Sequence, residues 1–245
     1  ALRRLRLADE DIYAATTEED RSLLRLRPPL EADTYEKLRE VLATLGGLIE
    51  ERGAQEAAAL ARYLKDEGLT DEGRIGVIDL GWHNSLQICL GEILDRLGVA
   101  TTITGFYMGT FAHAPAPRAG DASLGFLFDH GLPERRLAAV VPAVTLLELL
   151  HAAPHGSTLA IDPDTSKPVL IDSAAERADY DHFIGPCHEE ALAFITRAMQ
   201  ELGDAAERVG PHLADLAAAH IGGLFSEPGL PEARTLGVLR AAADF

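Results

Sequence analysis

The run Asp79-Leu80-Gly81-Trp82-His83-Asn84-Ser85-Leu86-Gln87 gathers a carboxylate, an imidazole, two amides and a hydroxyl within one short stretch. It lies between a β-branched segment and an apolar-periodic one, the setting of a strand-to-helix turn. In open α/β sheets ligands bind beyond the carboxyl ends of the strands. Asp79 would orient a substrate hydroxyl or act as a base there, with Gly81 permitting the tight turn. Asn84 and Ser85 suit the start of the next helix, where unpaired N–H groups and the helix dipole favour an anion. His83 is a candidate acid–base group. Trp82, the chain's single tryptophan, is expected to stack on a sugar or base, and Gln87 to add a polar contact. The competing reading is a capped helix whose Trp fills the core and whose Asp braces the turn.

A second polar cluster holds Glu148, His151, His155, Gly156 and Ser157. His151 and His155 have the i, i+4 spacing of a metal pair, but Pro154 lies between them and no Glu follows His151, so a zincin-type site is set aside. His155 is expected as an acid–base residue and Ser157 as a substrate contact, the loop facing the Asp79 turn. An imidazole bonded to a carbonyl is the structural alternative. Two further groupings are decoys. Asp162-Pro163-Asp164 imitates the Asp-x-Asp of dehalogenase-type phosphatases, yet a hairpin turn fits it better, since Asp and Pro favour turns. His182, Cys187, His188 and Glu189 surround a Pro-initiated helix with no second cluster to complete a metal site. No metal is expected at these residues, and no motif fixes a cofactor.

The elements that must position these residues follow from periodicity. Residues 1 to about 72 read as helical, with one helix over Thr34–Leu45, a weak point at Gly46-Gly47, and another over Leu48–Leu64; Pro28-Pro29 separates both from the basic N-terminal stretch. Arg74–Leu80 reads as a strand covered on both faces. Ser85–Leu97 reads as a helix burying Leu86, Cys89, Leu90, Ile93, Leu94 and Leu97, and Thr101–Phe111 as a second strand. That is a βαβ unit with parallel strands. Another strand is expected over Leu124–Phe128, a buried helix within Leu137–Leu150 beginning near Pro142, and a hairpin from Thr158–Ile161 and Val169–Ile171. The remainder is helical, with breaks at Gly185-Pro186, Gly210-Pro211 and Pro228-Gly229. The fold class is therefore α/β, a parallel Rossmann-like βαβ core over 73–175 flanked by helical segments over 1–72 and 176–245, packed as one unit.

Composition narrows the function classes. With 39 acidic against 22 basic side chains the net charge is −17, a field that repels nucleic acid and anionic lipid. A small anionic substrate stays compatible, because a helix N-terminus holds a phosphate locally. No apolar stretch is long enough for membrane insertion, and the two cysteines, Cys89 and Cys187, read as reduced, buried thiols of a cytoplasmic protein. The absence of an initial Met reads as a processed chain or part of a longer one.

Two segments carry a family resemblance. Val77–Gln87 followed by Gly105-Phe106-Tyr107-Met108-Gly109, and Leu147–Ser157, resemble blocks of large bacterial predicted hydrolases of the haloacid-dehalogenase superfamily, associated with cell-surface polysaccharide synthesis and often found beside glycosyltransferase modules. The resemblance covers about a third of the central region and carries no catalytic assignment. It places the chain in the region that follows the phosphatase signature, of which no credible copy occurs here. It implies a domain handling a phosphorylated sugar or nucleotide-sugar in surface-glycan assembly, by glycosyl or phosphoryl transfer or by hydrolysis. The alternative is a non-catalytic accessory module packing on an upstream domain or a partner enzyme.

Overall fold

The β-branched run after Gly73 forms strand β1 (Gly73–Asp79), and the amphipathic segment after the polar turn forms a helix over Ser85–Arg96. The next apolar runs give β2 (Thr101–Gly109) and β3 (Ala122–Phe128). The three strands pair in the order β1-β2-β3, all parallel. The computed structural model describes residues 7, 9–26, 31–71, 73–171 and 173–237; the basic N-terminal stretch and Pro28-Pro29 lie outside them. The chain divides into two units, Ala1–Gly68 with Ser157–Ile171 and Leu69–Gly156 with Asp172–Phe245.

In the first unit, helices α1 (Asp9–Ala15), α2 (Glu18–Leu24), α3 (Ala32–Thr44) and α4 (Gly46–Asp66) precede the antiparallel hairpin β4 (Thr158–Ile161) and β5 (Pro168–Leu170). Leu45 closes α3 and opens α4, so Gly46-Gly47 marks the join between two helices. Arg62 ties α4 to the hairpin, its Nε donating to Ser166 Oγ at 2.7 Å and its Nη2 to the Pro163 carbonyl at 2.6 Å. Asp162 Oδ1 accepts from the backbone N–H groups of Asp164 and Thr165, the self-capping that makes Asp a turn residue.

In the second unit the helix over Ser85–Arg96, α5, lies against the sheet. Its buried stripe is Gln87, Gly91 and Leu94, whereas Leu86 and Leu97 are exposed and so is Cys89. The helix is thus rotated from the apolar face expected of it. Gln87, 0% exposed, sets that rotation: its Nε2 donates to the carbonyls of Ile103 and Ala122, and its Oε1 accepts from the Tyr107 hydroxyl at 3.0 Å. Gly105 lies beneath this cluster, where an added Cβ would overlap the Gln87 amide and the Tyr107 ring.

The β2-to-β3 crossover carries no helix. Arg118 fastens it instead, donating to the Gly91 and Thr101 carbonyls, to Asp95 at 2.6 Å and to Asp121 at 3.2 Å. Asp121 Oδ1 in turn accepts from the Ile103 N–H.

The expectation that β1 is covered on both faces does not hold. Ile78 is 91% exposed, and Phe106, Leu124 and Phe126 on the same side of the sheet are about half exposed. Only the side facing α5 and the aromatic core is closed, because the loop that replaces a second crossover helix leaves the other side bare.

After β3 come α6 (Glu134–Val140), a short tight turn at Val141–Ala143 and α7 (Val144–Leu150). The expected helix within Leu137–Leu150 is therefore two helices, with Pro142 in the turn between them. Further on lie α8 (Ala174–Asp179), α9 (Gly185–Leu202), α10 (Ala206–Ser226) and α11 (Leu230–Leu236). Gly210-Pro211 does not interrupt α10, contrary to the break expected there. Trp82, Leu127, Phe128, Val140, Ala143, Leu147 and Ala218 form the core. Cys187, like Cys89, is free and exposed, not buried.

Removing the Gln87 amide leaves the buried Tyr107 hydroxyl without its acceptor. Gln87→Leu is expected to destabilise this unit by about 2–3 kcal/mol, read from urea unfolding followed by the fluorescence of Trp82, a reporter that lies within this unit. A second expectation concerns α10, where Asp215 Oδ1 accepts from Arg136 at 2.7 Å and Arg135 at 2.8 Å. The hydrogen bond from Arg136, then the charges of both arginines, lower the Asp215 pKa from 3.8 to about 2. A depressed carboxylate contributes stability above its unfolded pKa and loses it as pH falls through the folded one. Acid titration by circular dichroism should therefore show a loss between about pH 4 and pH 2 that Asp215→Asn flattens.

Candidate functional site

Because the strands are parallel, their carboxyl ends share one edge of the sheet, and each leads into polar residues: Asp79 after β1, Thr110 after β2 and Asp129 after β3. Asp79 Oδ1 accepts from the Gly81 N–H at 2.7 Å. A Cβ at Gly81 would lie 2.8–3.0 Å from the Asp79 carboxylate oxygens, so a side chain there would push the carboxylate out of its bond to the turn. Asp79 pairs in register with Tyr107. Burial, with the Asp79 charge adding to it, pushes the Tyr107 phenol from 10.0 up to about 12.

Trp82 is 5% exposed and belongs to the core. Its ring stacks on Phe128 at 5.8 Å and tilts against Phe111 at 6.0 Å, while Nε1 donates to Glu148 Oε1 at 3.0 Å. It is a structural residue and offers no open face for stacking a ligand. Gln87 is likewise committed within the interior. A Trp that fills the core and an Asp that braces the turn thus describe Trp82 and Asp79; the burial of Gln87 belongs to neither reading of the turn. Asn84 adopts a left-handed conformation, φ 57°, at the start of α5 and makes no side-chain cap. Its Nδ2 donates to the Pro115 carbonyl at 2.9 Å, and its buried Oδ1 has no hydrogen-bond partner. Ser85 opens the helix with its residue exposed.

His83 is exposed, and its Nε2 lies 3.0 Å from Nε2 of His113 in the β2–β3 loop. His113 stacks on Phe111 with ring centroids 5.5 Å apart and planes 9° from parallel. His155 is exposed, its Nδ1 bonded to the Gly156 carbonyl at 3.0 Å. Ser157 belongs to the first unit, where its carbonyl accepts from the Ile171 N–H. The turn and the Leu147–Gly156 segment therefore meet through Trp82 and Glu148, the residue of that segment bonded to the turn. His151 and His182 each bond the carbonyl four residues earlier, and His188 bonds the Leu150 carbonyl at 2.7 Å. Among the described residues no group of three or more His, Cys, Asp or Glu side chains could hold a metal ion.

Two features of this edge were not singled out from sequence. One is His113. The other is the tie between β2 and β3, in which Thr110 Oγ1 donates to Asp129 Oδ1 at 2.6 Å and accepts from the His130 N–H. Their signal was available: once the strands are read as parallel, polar residues in every following loop fall at one edge. Beside them lies an open apolar depression of about 580 Å³ lined by Ala112, His130, Leu132, Leu137, Val141 and Pro142 among others.

No protein-family model matches the chain, and no curated protein matches it. No helix of the described residues is long and apolar enough to cross a membrane.

The Tyr107 environment yields a spectroscopic expectation. In an alkaline difference titration one phenol should ionise near pH 12, and Asp79→Asn should bring it forward. Since the folded pKa is the higher one, stability falls as pH rises from 10 to 12.

Proposed function

We propose that the second unit handles a phosphorylated sugar or nucleotide-sugar, by glycosyl or phosphoryl transfer or hydrolysis, in bacterial surface-glycan assembly. The observation that carries the reading is the exposed His83, four residues after Asp79 in the turn at the carboxyl edge of a parallel sheet. The other strands also end there in polar residues, and the βαβ unit is read as Rossmann-like. The apolar depression next to this edge has a volume in the range of small-molecule pockets. The resemblance of the Asp79 and Leu147 segments to glycan-associated hydrolases supplies the substrate class.

Within this reading Asp79, already held by Gly81, orients a substrate hydroxyl or removes its proton, and His83 acts as acid or base with His155 as a further candidate. The start of α5 receives the phosphate through its N–H groups and the Ser85 hydroxyl, because the Asn84 amide nitrogen is engaged with Pro115. A cytoplasmic location and a neighbouring upstream domain or partner enzyme belong to the same proposal.

A second reading, a non-catalytic module of a larger protein, is favoured by a separate observation. The outer sheet face around Ile78 is bare, and α9 has no buried residue while exposing Leu192, Phe194, Ile195 and Met199.

The test is calorimetric titration of the protein with a panel of nucleoside diphosphate sugars and sugar 1-phosphates. One class should bind, and Asp79→Asn or His83→Ala should each weaken it about tenfold or more, the size of a charge-assisted hydrogen bond. Failure of the whole panel at millimolar concentration, or indifference to both substitutions, would leave the accessory reading standing.

A further inference from the structure

We propose that His83 and His113 form a two-imidazole chelate for a borderline divalent cation such as zinc, nickel or copper. The inference stands on geometry and is independent of what the domain acts on.

The two Nε2 atoms lie 3.0 Å apart. With metal–nitrogen bonds of about 2.0–2.1 Å, adjacent ligands sit about 2.9–3.4 Å apart between square and tetrahedral angles, so the pair already has the spacing that chelation needs. Without a cation a single proton must bridge these nitrogens. With one, both rings carry their proton on Nδ1 and turn a lone pair to the metal.

The rings are held in place from both sides. Before them, the Phe111 N–H donates to the Trp82 carbonyl at 3.1 Å; after them, Asn84 Nδ2 donates to the Pro115 carbonyl at 2.9 Å. His83 falls between the first pair of anchors and the second on its loop, and His113 does so on the other. Phe111 touches both imidazoles, at 5.2 Å and 5.5 Å between centroids, and is itself packed on Trp82 and Phe128. The ring positions are thus transmitted from the core. A hydrogen bond between two exposed side chains adds little stability, so such bracing exceeds what that bond alone requires.

Charge favours occupancy. The chain carries −17, which raises the local concentration of cations. The Asp79–Gln87 run contains no Lys or Arg, and Arg118 in the facing loop is engaged with Asp95 and Asp121. Imidazole selects zinc, nickel or copper over magnesium or calcium. Because no third His, Cys, Asp or Glu among the described residues joins the pair, water would fill the other positions and leave them exchangeable for an oxygen donor.

The experiment is titration of the tag-free full chain with zinc chloride, by calorimetry and by histidine side-chain NMR, with no sugar ligand present. One equivalent should bind, perturbing the His83 and His113 signals among the nine histidines. His83→Ala and His113→Ala should each weaken binding at least about tenfold, with His220→Ala as a neutral control. His113→Phe keeps the ring stacked on Phe111 but deletes the nitrogen, and should lose the ion while retaining the wild-type melting temperature. Absence of saturable binding, or binding that survives both His83→Ala and His113→Phe, overturns the proposal. Because zinc is the only ligand, this result is separate from the fate of the sugar-phosphate reading.

Discussion

The side-chain amide of Gln87 is the point on which the second unit turns. It joins α5 to β2 and to the start of β3 at once, and it does so in an interior that admits no water to replace it. The net gain from such a bond is small when formed, but the loss is large when one partner is removed. Its main effect is therefore on specificity. Any other rotation of α5 would bring an apolar side chain against the carbonyls that the amide now serves. Because the turn from Asp79 to Ser85 is short, fixing the helix also fixes where His83 and Asn84 emerge. The glycine at 105 completes the arrangement by leaving room for the amide and the Tyr107 ring together.

The candidate site is assembled from loops that the fold cannot avoid placing side by side. Parallel pairing puts the exits of β1 and β2 next to each other, and the backbone bond from Phe111 to Trp82 holds them there. The site has no free arginine or lysine in the Asp79–Gln87 run, in contrast to the usual anion pocket. Its exposed nitrogen groups are the imidazoles of His83 and His113, rings that can donate or accept. That makes this edge chemically conditional in a way a guanidinium would not be.

Much of the scaffold was legible in the sequence because period and punctuation act locally. The β-branched run before Asp79, the apolar helix after Ser85, and the hairpin around Asp162-Pro163 all form as the pattern implies. The orientation of α5 was not legible, because Leu86 and Cys89 are as apolar as a core position demands while Gln87 is not. Only the presence of two carbonyls and a phenol opposite makes Gln87 the interior residue. Trp82 poses the same difficulty in reverse: an indole in a polar turn fits a ligand platform or a core plug equally, and Phe128, distant in sequence, decides. His113 was harder to see because a loop of Pro, Ala and Gly has no periodicity, although the parallel reading of β1 and β2 already puts the start of that loop at the shared edge.

The helix-free crossover between β2 and β3 has a consequence for the order in which the unit assembles. Arg118 reaches Gly91, Asp95 and Thr101, groups that belong to α5 and to the beginning of β2. Those partners do not exist as a site until α5 and the start of β2 have come together. Until they do, the third strand is tethered to the second by a loop without helix, whose closure entropy is met before its pairing contributes. The arginine acts as a latch on that loop. The strand it secures is also the one whose Leu127 and Phe128 pack with Trp82, so the same latch holds the floor beneath the imidazole pair.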